Sequence, residues 1–485
     1  MSTDTTISQG GSDESGRLEK VAIRVSNWAE RWFPDAFIFA AIAVVVVALA
    51  TWSIGAPVRA VAQGFGDGFW SLIPFTMQMA VVAISGYVVA VSPPAAKLID
   101  TMARMPKSAR GAVVMIATVS LVSTLFNWAI SLIFSGLLAR AIARRTDLRV
   151  DYRAMGAAAY IGMGAIWALG ISSAPAQLMA NPASLPSGLL QISGVLPFTE
   201  TIFLWQSMVM TMALLLISIL VCYYSAPTGD RIKTAQDLGV DLQDSNIQVN
   251  KPSRPGEWLE YSPLVTIAVT FISAIWLFSE FTSKDPLLAI SSLNTYNFLF
   301  LMIGMLLCWR PIRFVKAFYK AVPSVSGVLI QFPLYGGIAF MMTKVTNDQG
   351  ETLSHLLASG FVAVATQETF SVVMGVYSAV LGFFIPSGGG KWLIEAPYVM
   401  QAANDLQVHL GWAVQVYNAA EALPNLINPF WMLPLLGVLG LQARDIVGFT
   451  FTQLLVHAPI VLFLLWFFAG TLSYVPPVIP VMPGS

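Results

Sequence analysis

Long apolar runs alternate with short charged loops along the chain. Runs of membrane-crossing length fall at about 37–53, 72–91, 155–179, 202–223, 264–281, 298–309, 325–342, 413–439 and 447–475. The run at 298 is short and extends back toward Ser292. Glycines, prolines and polar residues punctuate the runs at 155 and 413, so both spans are expected to be unwound. Two further runs, 111–143 and 361–403, are each too long for one straight crossing. Polar breaks divide them, at Phe126-Asn127-Trp128 and at Pro386-Ser387-Gly388-Gly389-Gly390. Discontinuous segments at matched places in two halves of a chain point to a transporter's binding site.

Lysine and arginine set the orientation, because cytoplasmic loops carry an excess of both. Arg17, Lys20, Arg24 and Arg31 place the N-terminus inside, and the sparse loop 55–70, with Arg59 alone, falls outside. Lys97, Arg104, Lys107 and Arg110 before the first interrupted run, and Arg140, Arg144, Arg145, Arg149 and Arg153 after it, are all cytoplasmic. A segment with both ends on one side returns. Arms of about 15 residues give about 22 Å of helix, short of a hydrocarbon core of about 30 Å. The first run therefore reads as a re-entrant hairpin opening from the cytoplasm. Arg231, Lys233, Lys251 and Arg254, then Arg310, Arg313, Lys316 and Lys320, mark two more inside loops, which makes the second run a hairpin entering from outside. The expected fold class is an all-α polytopic membrane protein with about nine transmembrane helices plus two re-entrant helical hairpins.

Segments 69–127 and 325–387 share the order span, linker, arm, break, which suggests an inverted repeat. The expected organisation is a polar cytoplasmic tail (1–30), a first repeat (31–224), a cytoplasmic linker (225–262), a linking helix (263–291), a second repeat (292–475) and a C-terminal tail (476–485). Residues to about 19 read as a tail without a signal-peptide core, followed by an amphipathic lead-in.

Composition agrees. The chain is 56% hydrophobic and 11% charged, with mean hydropathy +0.70, where soluble domains carry about 25% charge. A net charge of zero gives no sign of nucleic acid as a partner. Two cysteines and three histidines show neither disulfide nor metal-ligand spacing, so no cofactor is expected, and no metal beyond a sodium site. The lipid bilayer and a small carboxylate are the expected partners.

The candidate chemistry lies at the breaks. Proline ends one arm at Pro386, and Ser387, Gly388, Gly389 and Gly390 let bare backbone approach a ligand, with helix N-terminal amides following for an anion such as a monocarboxylate. A flexible hinge is the bland alternative. Lys391 is an intramembrane cation with three readings: it neutralises the substrate, pairs with an acid such as Glu395 one turn on, or snorkels outward. Asn127, Ser123 and Thr124 suit substrate or a sodium ion, or plain interhelical bonding. Ser172 and Ser173 break the span after the first hairpin. Glu421 and Asn425 punctuate the span after the second, and Glu421 can carry a proton or a cation, or form a structural ion pair.

Phe384-Ile385-Pro386-Ser387-Gly388-Gly389-Gly390-Lys391-Trp392 resembles the glycine hairpin of bacterial short-chain fatty acid transporters of the acetoacetate/butyrate permease type. Gly66-Asp67-Gly68-Phe69-Trp70, Met77-Gln78-Met79-Ala80, Asn127-Trp128, Ala159-Tyr160-Ile161-Gly162, Gln331-Phe332-Pro333, Glu421 with Asn425, and Pro429-Phe430-Trp431 fit the same pattern. The resemblance runs from about Trp32 to the last span. It implies membership of the ion transporter superfamily, a scaffold plus an elevator-type transport domain holding both hairpins, a homodimer, and a place in the bacterial inner membrane. The chain departs from the pattern at Lys391 (histidine expected), at Glu395 (glutamine expected) and around Ala419-Ala420 and Leu423-Pro424.

The resulting expectation is a secondary active transporter of short-chain monocarboxylates, coupled to H+ or Na+. The glycine tip and Asn127 would bind substrate, with Lys391, while Ser123, Thr124, Asn127, Ser172, Ser173, Glu421 and Asn425 are the coupling-ion candidates. Rivals are a dicarboxylate transporter, an intramembrane enzyme and a passive channel. No catalytic constellation supports the enzyme.

Overall fold

The computed structural model describes residues 16–180, 185, 187–242, 247, 249, 252–284, 286, 289 and 292–479. Expectations for residues 1–15, parts of the 225–262 linker and of 263–291, and residues 480–485 lie outside the described residues. Apart from one isolated bridge between Thr346 and Thr352, the described residues form helices and connections, with no strand among them. Self-contained backbone hydrogen bonding is what hydrocarbon demands. Among the described residues, seven helices are long and apolar enough to cross a membrane, or up to nine if each of two bent pairs counts as one span. This is a multi-pass membrane protein.

Helix α1 (Arg17–Trp32) starts earlier than the expected tail allows. Glu19, Ala22, Ser26 and Ala29 recur at helical spacing and are buried, and this face docks on the last helix. Asp35 caps α2 (Ala36–Ser53) by accepting from Phe37 N. Residues 55–70 are not an outer loop: α3 (Val58–Ser71) runs almost directly into α4 (Ile73–Ala90). The glycines that read as loop are contact points. A Cβ on Gly68 would stand 2.6 Å from Gly336 O, and one on Gly336 would stand 2.5 Å from Gly68 O. Small residues let membrane helices meet backbone to backbone.

After the amphipathic α5 (Pro93–Ala103), α6 (Ala109–Phe126) and α7 (Trp128–Ala143) meet at Asn127. With 18 residues, α6 is about 27 Å long, longer than the expected arm and long enough to count as a span. α8 (Tyr152–Ala165), buried along its whole length, breaks through a 3-10 turn at Trp167–Leu169 into α9 (Ala174–Ala180), a bend of 40°. α10 (Ser187–Ser193), α11 (Trp205–Ser225), α12 (Trp258–Tyr261), α13 (Pro263–Ser283) and α14 (Leu293–Cys308) lead to α15 (Pro311–Ala321), which is amphipathic, and α16 (Ser326–Lys344).

The second interrupted run is divided differently from expectation. α17 (Leu353–Val364) ends at a turn where Thr366 N donates to Thr369 Oγ1, so the arms are α18 (Phe370–Phe384) and α19 (Gly388–Asp405). α20 (Leu410–Asn425) and α21 (Leu433–Leu439) form the second bent span, at 75°, and α22 (Ala443–Ala469) closes the chain. α6, α7 and α8 pack on one another, whereas α18 packs mainly on α20.

Candidate functional site

The breaks converge. A cavity of about 700 Å³ is walled by Asn127 and Trp128 of the first break, Trp167 and Ser172 of the second, Ser387 to Gly390 of the third, and Phe430 and Trp431 after α20. Its lining carries no Lys, Arg, Asp or Glu. Aromatic rings contribute a large part of the wall: Trp128 meets Trp431 edge to face at 5.1 Å, and behind the wall Phe332 stacks on Phe430 at 3.9 Å.

Local hydrogen bonds explain why the breaks hold their shape. Asn127 adopts extended backbone, and its Oδ1 accepts from Ile130 N, capping α7. Ser172 stitches across this break: its Oγ accepts from Trp128 N, and its own N–H donates to Leu125 O. Ser173 Oγ accepts from Ala176 N at the start of α9 and donates to Asn418 Oδ1 on α20. Asn428 ties the last break down, donating to Phe383 O and accepting from Tyr335 Oη.

At the glycine tip, Ser387 is extended and α19 begins at Gly388. The first intrahelical bond to Ser387 O comes from Lys391 N, so the amides of Gly388, Gly389 and Gly390 are among the unmatched donors of a helix N-terminus beside the cavity. A Cβ on Gly388 would overlap the Trp167 ring. Only glycine lets the tip rest on that indole. Tyr417 Oη donates to Gly388 O at 2.6 Å and holds the first turn in place.

Lys391 does not line the cavity, in contrast to the reading that it faces the substrate. Its ammonium turns away, fully buried, to Glu395 Oε1 at 2.7 Å, Glu421 Oε2 at 2.9 Å and Ser378 O at 3.1 Å, and it lies 4.2 Å from the centroid of the Tyr417 ring. Glu395 Oε2 accepts from Ser378 Oγ. Glu421 is fully buried too; its Oε2 meets the Lys391 ammonium, and its Oε1 has no partner. Gly382 leaves room for this carboxylate, since a Cβ there would stand 2.6 Å from Glu421 Oε2.

The other oxygen candidates are dispersed. Ser123 Oγ returns to Val119 O of its own helix. Thr124 Oγ1 and both side-chain atoms of Asn425 are buried without a hydrogen-bond partner. Sequence reasoning missed Ser378, Tyr417, Trp167 and the aromatic wall, because apolar and aromatic residues in a membrane span carry no local sign of which way they face.

A family profile described as "Short chain fatty acid transporter" matches residues 17–468. An Escherichia coli (strain K12) protein provisionally named a short-chain fatty acid transporter is 32% identical over 442 residues, 91% of this chain and 97% of that protein. A Haemophilus influenzae protein of the same provisional name is 30% identical over 458 residues, covering 93% and 100%. Among solved structures, the Alcanivorax borkumensis YdaH transporter aligns at 14% identity and TM-score 0.42, covering 90% of this chain and 98% of its own. Neisseria gonorrhoeae MtrF, described with a class of antimetabolite efflux pumps, aligns at 13% and 0.42, covering 96% and 99%.

Proposed function

The chain belongs to the short chain fatty acid transporter family, and from that premise we propose that it is a secondary active transporter of short-chain monocarboxylates. Butyrate and acetoacetate are the expected substrates, crossing the bacterial cytoplasmic membrane in symport with a cation. One observation carries this reading: an uncharged, aromatic-walled cavity receives the N-terminus of α19. The three glycine amides would hold one carboxylate, with Ser387 and Asn127 beside them, and the rings would cover a short acyl tail. A second carboxylate would lie against lining that offers no cation, which disfavours dicarboxylates. We assign the site no catalytic residues.

We infer further that the coupling ion is a proton carried by Glu421. One ammonium shared by two carboxylates leaves a buried net negative charge, which is costly at membrane depth. A proton on one carboxyl removes it. Glu395 has both oxygens engaged, whereas Glu421 Oε1 has no partner, so Glu421 is the natural carrier. A sodium reading rests on Thr124 and Asn425, whose buried oxygens lack partners. For the conformational cycle we adopt an elevator of both helix–break–helix units against a homodimeric scaffold, with the units as re-entrant hairpins and the halves as inverted repeats. The order unit then bent span, present twice, supports the repeat.

The test is competition. Saturable uptake of labelled butyrate into proteoliposomes should be inhibited by acetoacetate and left unchanged by succinate. Equal inhibition by succinate would overturn the monocarboxylate assignment.

A further inference from the structure

A second opening, of about 620 Å³, lies between α5 and α15, away from the aromatic cavity. Pro93, Lys97, Asp100 and Arg104 wall it from α5, at spacings of three and four that put them on one helical face. The opposite face of α5, with Ile99 and Ala103 buried, is packed in the protein against α7. Arg313 of α15 faces the opening from the other side. Three cations thus surround one acid. Among the described residues, Lys97, Arg104 and Arg313 stand in no ion pair, and Arg313 Nε is buried without a hydrogen-bond partner.

Leu98 and Met105, next in sequence to Lys97 and Arg104, are apolar and exposed, and Val91, Ala96 and Ile247 add apolar lining to the opening. A basic opening with an apolar rim fits an amphiphile. Both helices belong to lysine- and arginine-rich segments that the charge rule places on the cytoplasmic side, where the leaflet carries anionic lipid. We propose that this opening binds the headgroup of an anionic phospholipid, with its phosphate among Lys97, Arg104 and Arg313 and its acyl chains along the exposed rim. A free phosphate would satisfy the cations but leave the rim bare.

Such a lipid would join two parts of the fold. Arg145, two residues beyond α7, donates from Nη1 to Ala103 O at 3.0 Å and Pro106 O at 2.7 Å, fastening the end of α5 to the first broken unit. α15 packs instead on α4 and α14. A phosphodiester between them would restrain the cytoplasmic end of that unit.

The direct test is lipid retention, which is independent of what the protein carries. Full-length protein stripped of lipid in detergent is titrated with phosphatidylglycerol and with phosphatidylcholine, and bound lipid is counted by native mass spectrometry. The expected result is preferential binding of phosphatidylglycerol. That preference should fall roughly a hundredfold in Lys97→Gln/Arg104→Gln/Arg313→Gln, at about fivefold per basic group, and persist in Lys97→Arg. Thermal unfolding equal to wild type shows that the triple variant is folded. An unfolded triple variant shifts the test to each single substitution, expected to cost about fivefold. Equal phosphatidylglycerol binding by folded variant and wild type, no preference over phosphatidylcholine, or displacement by millimolar inorganic phosphate would each overturn the proposal.

Discussion

Everything packed round the Lys391 ammonium answers its charge: two carboxylates, a carbonyl and the face of Tyr417. Removing the cation leaves two buried acids, and breaking a buried pair in this way costs about 3–5 kcal/mol. Lys391→Met should therefore lower thermal stability markedly, and adding Glu395→Gln should restore part of it; a single variant as stable as wild type would contradict the triad. Glu421→Gln makes the opposite case. It leaves one ammonium facing one carboxylate, a balanced pair with no proton to exchange. Counterflow of labelled butyrate should persist in this variant, while accumulation driven by a pH gradient should fall to the passive level. The Lys391–Glu395 pair was legible as an i, i+4 spacing. Glu421 was legible only as a lone carboxylate, since the contact that defines it spans thirty positions that the fold alone brings together.

At the scale of helices, the breaks were the most legible feature, because proline, three glycines and a polar pair inside apolar runs leave few physical alternatives. Asn127 and the tip at Ser387 to Gly390 do reach one cavity. Helix α3 was illegible for the converse reason. Gly64, Gly66, Asp67 and Gly68 look like loop, yet Gly64 and Gly68 are where α3 is pressed against α16 and its flanks. A glycine that frees a backbone and one that admits a neighbour look alike in sequence. The tip itself is testable. Any side chain placed on Gly388 would begin inside the Trp167 ring, so Gly388→Val should reduce butyrate uptake by at least tenfold. Gly389→Val, which crowds Ala174 at 3.2 Å, should act in the same direction. Membrane insertion and detergent-extracted yield should stay near wild type in both. Normal uptake by either folded variant would remove the tip from the binding site.

On the scale of the whole molecule, a charge cluster holds distant segments of the chain together. Arg153 is buried between Asp151 and Glu30, at 2.8 and 2.6 Å, and Lys233 adds a second contact to Glu30 at 2.8 Å, so α1, α8 and the segment after α11 meet at one cluster. Burial raises the Glu30 carboxyl, but hydrogen bonds and charge from Lys233 and Arg153 outweigh it and hold it below the usual carboxylate range. A group depressed on folding stabilises above its unfolded value of about 4.3 and loses that contribution as pH falls through the folded value. Amide protection in α1, taken relative to the intrinsic exchange rate at each pH, should therefore fall as pH drops below that value, and Glu30→Gln should already show reduced protection at neutral pH. Protection in Glu30→Gln that matches wild type at neutral pH would contradict this anchor.

Proton-coupled monocarboxylate transport requires both the cavity, proposed to take one carboxylate, and the Lys391–Glu395–Glu421 triad, proposed to take one proton. It is tested most directly by labelled butyrate uptake into proteoliposomes under an imposed inward proton gradient, with an inward sodium gradient applied separately at equal pH. Uphill accumulation with the proton gradient alone is the predicted result. Accumulation with sodium alone would contradict the assignment to Glu421 and move the coupling ion to the unpartnered oxygens of Thr124 and Asn425.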